Sequence, residues 1–186
     1  INKLARLSLI ETSKTFFELG KCWIKYPKQG VDHLVQTEGL PSLKKSLQSS
    51  SGVILFSAHL GNIEIIINYL AKNFNCTIPY SKIKIPAAEA VIKKARESMG
   101  AKMVKASSPG VRTLLNSLNQ GGLVTIASDQ VPNQEGGVIS DFFQVPALSM
   151  SLVVKLAAKT NCPCHSVSCV RRKGGKGYKI YFSELI

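Results

Sequence analysis

The sequence predicts an α/β domain with a mostly parallel central sheet flanked by helices. Two apolar runs carry this reading, Gly52-Val53-Ile54-Leu55-Phe56 and Leu123-Val124-Thr125-Ile126-Ala127. Uninterrupted apolar runs of this length read as strands buried on both faces, as in parallel sheets covered by helices. The third observation is alternation, because stretches of helical periodicity separate the strand-like runs along the chain. No repeat, low-complexity tract or linker interrupts them, so one domain is expected.

The elements follow in chain order. Residues 2–25 place Leu4, Leu7, Ile10, Phe16, Phe17, Leu19 and Trp23 among lysines and arginines. That pattern predicts an amphipathic helix, which either packs on its own domain or lies on a membrane. Residues 1–30 are assigned to this helical region and residues 31–186 to the body of the domain. Leu40 to Gln48 reads as a short helix with Pro41 near its start. After the first buried strand, Gly61 and Asn62 break the pattern and Ile63 to Leu70 resumes as a helix. Cys76 to Tyr80 is a strand, and Pro86 opens a helix that runs to Met99 and stops at Gly100. Lys102 to Lys105 is a short strand, and Val111 to Leu118 a helix ended by Gly121-Gly122. Beyond the second buried strand, Ser149 to Thr160 reads as a helix. Strands at 163–171 and 178–183 then flank a turn at Lys173-Gly174-Gly175-Lys176-Gly177.

Composition narrows the function classes. At 186 residues, with 45% hydrophobic and 19% charged, the chain is globular and long enough for a sizeable core. It carries 24 Lys and Arg against 11 Asp and Glu, a net charge of +13, which favours anionic partners. Only 7% of residues are aromatic and most sit in apolar runs, so the stripe of cations and exposed rings that nucleic acid demands is missing. No nucleic-acid partner is expected. A basic membrane-binding module without catalysis would explain the charge and leave the candidate site described below idle.

The five cysteines (Cys22, Cys76, Cys162, Cys164 and Cys169) are an odd number without paired CxxC spacing, which suits free, mostly buried thiols in a reducing compartment. Cys162, Cys164, His165 and Cys169 cluster, but an alternating strand throws them to opposite faces, so no metal site is expected. No secretory signal is visible, and no apolar run approaches the ~18 residues that span a bilayer. The sequence begins at Ile1 rather than Met, and it is read as a fragment from which a membrane anchor is missing.

The candidate site is Ser57-Ala58-His59-Leu60-Gly61-Asn62-Ile63-Glu64. It puts His59 at the carboxyl end of a buried strand and Glu64 in the first turn of the next helix. In open α/β sheets that crevice is where ligands bind. A histidine with a nearby carboxylate is the minimal apparatus of a general base, since the carboxylate orients the ring and stabilises the imidazolium. The alternative is equally weighted on residues alone: a histidine ending a strand, and a glutamate favoured by a helix N-terminus. Asp129 ends the other buried strand, followed by Gln130, and is catalytic, substrate-binding or a turn former. Lys93 and Arg96 share one helix face, as an anion clamp or a solvated basic face. Phe142-Phe143 reads as core or pocket wall.

The series His59-Leu60-Gly61-Asn62-Ile63-Glu64, Arg96-Glu97-Ser98-Met99-Gly100, Ser128-Asp129-Gln130 and Asp141-Phe142-Phe143-Gln144-Val145-Pro146 resembles the late acyltransferases of lipid A biosynthesis, the lauroyl and myristoyl transferases. The resemblance covers about residues 35 to 182, in order and with fitting spacings. It implies a glycerolipid-acyltransferase-like fold and transfer of an acyl chain from an acyl carrier protein thioester to a hydroxyl of a phosphorylated glucosamine lipid. It implies His59 as general base with Glu64 orienting the ring. Arg96, Asp129, Gln130, Lys82 and Lys93 would bind substrate, with no cofactor and no metal. An anionic membrane surface, the cytoplasmic face of the inner membrane, is the implied setting. The resemblance implies an N-terminal membrane helix and a further C-terminal segment, and both are expected to lie outside this fragment. Two positions depart from its pattern: Gln144 replaces the usual glycine after the Phe pair, and Ser81 replaces a basic residue after Tyr80, where Lys82 and Lys84 are the substitutes. A related glycerolipid or mannolipid acyltransferase is the rival reading.

Overall fold

The computed structural model describes residues 2–48, 52–81, 85–133 and 136–185. Seven strands form one sheet in the order β1-β9-β8-β2-β5-β3-β4. They are β1 (Val35–Glu38), β2 (Val53–Ser57), β3 (Cys76–Tyr80), β4 (Lys102–Lys105), β5 (Leu123–Ala127), β8 (Cys164–Arg171) and β9 (Tyr178–Glu184). Every pairing is parallel except the β8–β9 hairpin. The predicted α/β architecture is observed. The short edge strand β1 went unpredicted because its half-polar sequence Val35-Gln36-Thr37-Glu38 has neither an apolar run nor strong alternation.

The apolar runs do what their composition requires. In β2 and β5, Val53, Ile54, Leu55, Leu123, Val124 and Ile126 are buried, and they occupy the middle of the sheet. Side chains of alternate parity feed two cores on opposite faces: Val53 and Leu55 join Ile65, Ile66 and Leu70 of helix α4 (Ile63–Asn73). Ile54, Val124 and Ile126 join Leu114 and Leu118 of α6 (Ser108–Asn119) and Leu156 of α7 (Leu152–Thr160). Helices α3 (Leu40–Gln48) and α5 (Pro86–Glu97) complete the layers.

Two segments differ from expectation. Residues 145–150 form strand β7 (Val145–Met150), antiparallel to β6 (Gly137–Phe142), so the helix begins at Leu152 rather than Ser149. The ribbon's tip carries Phe142 and Phe143, which are exposed rather than core. Helix α1 (Asn2–Gly20) forms as predicted, but none of its residues is buried. It continues through a π-helical turn at Lys21–Lys25 and the short α2 (Tyr26–Gln29), where Cys22 and Tyr26 reach the core. Among the described residues, no helix is long and apolar enough to cross a membrane.

Candidate active site

The register of β2 against β5 builds the site. Ser57 aligns with Ala127, and the ladder runs one step further through the Ser128 amide, which donates to the Ser57 carbonyl at 3.0 Å. His59 and Asp129 each stand two residues beyond that aligned pair, so they face one another where the parallel strands end. The His59 imidazole and the Asp129 carboxylate meet at 2.7 Å through Nδ1 and Oδ1. The backbone N–H of His59 donates to Oδ2 of the same carboxylate at 2.8 Å. Burial alone would raise the Asp129 carboxyl, but the His59 amide and imidazole override it and hold it below its ordinary 3.8.

Glu64 has a different partner. Asn62 caps α4 by accepting the Ile65 amide at 3.3 Å, and that cap turns Glu64 inward, where it is buried. Its carboxylate takes two hydrogen bonds from Arg96 of α5, one from Nη2 and one from Nε at 3.3 Å. Among the described residues, no hydrogen bond joins His59 to Glu64, the carboxylate expected beside the ring. The spacing that suggested proximity straddles a loop and a helix cap, and the first turn of α4 carries Glu64 away toward α5. The acid at the ring is Asp129, whose residue type and strand-end position were visible but whose partner was not.

Gly61 shapes the loop between them. It sits at φ 67° and bridges the backbone of Cys169, whose carbonyl a Cβ at this position would strike. Asn62, nearly inaccessible, donates to Glu18 Oε2 of α1 at 2.6 Å. Glu18 in turn accepts from Arg171 Nε at 2.7 Å, and Thr15 of α1 donates to the Gly61 carbonyl at 3.4 Å. Burial pushes Glu18 up, but the Arg171 and Asn62 bonds bring it below the usual carboxylate range. No local signal could reveal this clamp, because its partners are far apart in sequence.

His59 opens onto a cavity of about 480 Å³ whose walls include Ile63, Ile67, Ile78, Met103 and Ile126. Arg96, Lys93, Glu89 and Gln130 are among its polar groups. Lys93 also approaches Glu97 at 3.7 Å. Lys82 and Lys84 lie outside the described residues. A second cavity of about 690 Å³ shares Gln130, Met150 and Leu152 with the first and adds Lys105, Lys155 and Lys159. Cys162, Cys164, His165 and Cys169 lie on or beside β8, and these three cysteines, like Cys22 and Cys76 elsewhere in the fold, are buried and free. Among the described residues, no group of three or more His, Cys, Asp or Glu is disposed to hold a metal ion.

A mostly parallel α/β sheet whose strand ends present a His–carboxylate pair beside a cavity has the form of a group-transfer enzyme. The family model for bacterial lipid A biosynthesis acyltransferases matches residues 2–184, and the chain belongs to that family. It is an acyltransferase. Among curated proteins, none matches the chain.

Proposed function

We propose that the protein moves a fatty acyl chain from an acyl carrier protein thioester to a hydroxyl of a phosphorylated lipid A precursor, with His59 as general base and Asp129 as its orienting partner. The observation that carries this reading is the doubly hydrogen-bonded Asp129 carboxylate on His59, at the mouth of an apolar cavity. A carboxylate that accepts the Nδ1 proton leaves Nε2 of the neutral ring as the free lone pair. Nε2 takes the acceptor hydroxyl's proton as its oxygen attacks the thioester carbonyl. The carbon–sulfur bond then breaks, and the imidazolium returns the proton to the leaving thiolate. The ester forms in one transfer, with no acyl-enzyme.

The apolar walls suit the acyl chain. Glu64 acts as a positioning residue, because its buried carboxylate fixes the Arg96 guanidinium beside the cavity. There Arg96 stabilises the developing oxyanion or holds a substrate phosphate. Lys93 and Gln130 offer further polar contacts on the same rim. The charge of +13 suits three anions together: the acidic carrier, the lipid phosphates and the anionic surface of the inner membrane's cytoplasmic face.

The test is acyl transfer by the purified protein from acyl carrier protein and coenzyme A thioesters to a phosphorylated glucosamine lipid. His59→Ala and Asp129→Asn should each lower kcat by ~10²–10⁴ with folding retained. Full transfer by His59→Ala would sink the mechanism. Transfer by wild type to glycerol or mannose lipids alone would redirect the acceptor.

A further inference from the structure

Apart from Met150 at its root, which packs against the core beneath α6 and α7, the β6–β7 ribbon belongs to neither core. Among the described residues its two strands pair only with each other, and an isolated two-stranded ribbon is marginal in water. Phe142 pairs with Val145, so Phe143 and Gln144 form a two-residue turn, with φ 50° and 66°. That left-handed geometry is one that glycine and asparagine enter cheaply and phenylalanine does not. The strained turn holds Phe143 87% exposed and Phe142 65% exposed, their rings edge to face at 4.7 Å. Ile139 and Val145 are 70% and 63% exposed on the same ribbon. Large apolar side chains displayed together at this level mark a surface that something else covers.

The base of the ribbon is cationic and joins the site. Gly136 and Met150, at its root, line the larger cavity together with Lys105, Lys155 and Lys159, and Met150 also lines the cavity of His59. Among the described residues, none of these three lysines pairs with a carboxylate. An aromatic tip on a ribbon whose root shares a cavity lining with three lysines matches the two layers of an anionic bilayer surface, apolar at depth and negative at the headgroups. A folded acidic protein would satisfy the lysines and leave the strained phenylalanines without a reason.

We infer that the β6–β7 ribbon is a lipid-facing prong: Phe142 and Phe143 enter the headgroup–acyl boundary of an anionic bilayer while Lys105, Lys155 and Lys159 meet its phosphates. The prong then holds the cavity mouth at the depth where a lipid acceptor presents its hydroxyl. This inference rests on the acyl-transfer reading for its purpose, but its test does not.

The experiment is co-sedimentation of the full chain with phosphatidylethanolamine–phosphatidylglycerol vesicles, comparing wild type, Phe142→Ser/Phe143→Ser and Phe142→Leu/Phe143→Leu. The serine pair should weaken binding at least ~10-fold, since each buried phenylalanine contributes about that factor. The leucine pair should stay within about threefold of wild type, because it keeps the apolar tip. Thermal melts of all three check folding, and transfer to a detergent-dispersed acceptor should survive in the serine pair. Equal vesicle binding by wild type and the serine pair overturns the prong and leaves acyl transfer intact. So does loss of carrier-protein binding in the serine pair with vesicle binding unchanged, which would make the ribbon a protein-docking element. Failure of wild type to sediment with vesicles, while it still acylates a dispersed acceptor, overturns it too.

Discussion

Arg171, near the end of β8, grips Glu18 of α1 with two hydrogen bonds of 2.7 and 2.8 Å, across 153 residues of chain. The same guanidinium reaches Glu11 at 2.9 Å and Thr15 at 2.6 Å. Glu18 passes the contact on to Asn62 in the site loop. The N-terminal helix is thus fastened to the domain by its acidic face, and its Leu4, Leu9, Phe16 and Phe17 are left exposed. For an amphipathic helix this is the reverse of ordinary core packing.

Removing that grip should free the helix. Arg171→Ala is expected to cost about 2 kcal/mol, because Glu18 keeps the neutral donors Asn62 and Tyr178 but loses its charged one. Arg171→Lys should recover less than half, since an ammonium cannot reproduce the bidentate fork. Urea unfolding gives the stability, and limited proteolysis within residues 2–20 reports release of α1. Unchanged protease resistance in Arg171→Ala would show that other contacts hold the helix.

The Glu64–Arg96 pair separates stability from function. Arg96→Ala leaves a buried, uncompensated carboxylate and should destabilise by about 3–5 kcal/mol. The double variant Glu64→Leu/Arg96→Met should recover most of that stability, because both charges leave together and the volume is roughly kept. If Arg96 acts on substrate, acyl transfer by the double variant stays at least ~10²-fold below wild type. Recovery of activity along with stability would assign the pair to structure alone.

Gln144 occupies a left-handed position, and the family's usual glycine there is now explained by φ 66°. Gln144→Gly should therefore stabilise the protein by about 0.5–1 kcal/mol, the relief of side-chain strain being partly offset by glycine's greater freedom when unfolded. Thermal or urea melts measure this directly. The ribbon's aromatic tip is kept, so vesicle binding should be unchanged.

His165 links stability to pH. It is fully buried on β8, with Nε2 2.9 Å from the Ser46 hydroxyl and, among the described residues, no hydrogen-bond partner at Nδ1. Burial lowers its pKa below the ordinary 6.5, and the Glu184 charge opposes this only in part. A depressed folded value means that the unfolded chain takes up the proton first. Stability from this group is complete above about pH 6.5 and is lost as the pH falls toward the lower folded value. The stability difference between wild type and His165→Gln should therefore shrink between pH 7 and 5 in urea melts. A difference independent of pH would show that the imidazole is not neutral and buried as described.

The sequence exposed the central sheet because β2 and β5 must be apolar on both faces, and that demand is written locally. It exposed the helix boundaries at Asn62, Pro86 and the Gly121-Gly122 stop for the same reason: caps, proline and glycine act within a turn. The β6–β7 ribbon was hidden. Its Val145-Pro146-Ala147-Leu148 segment is short and apolar without a period, and the non-glycine turn at Phe143-Gln144 removes the usual hairpin signal.

By itself, then, the sequence determined that His59 and Asp129 stand at strand ends, Glu64 at a helix start and Arg96 in the last turn of a helix, because those positions follow from short-range pattern. Only the tertiary structure decided how they pair. The parallel register of β2 on β5 sets His59 level with Asp129, and the α4–α5 packing turns Glu64 to Arg96. Register and helix packing depend on which distant segments share a core. Spacing along one segment carries no information about the depth or direction of its neighbour across the sheet.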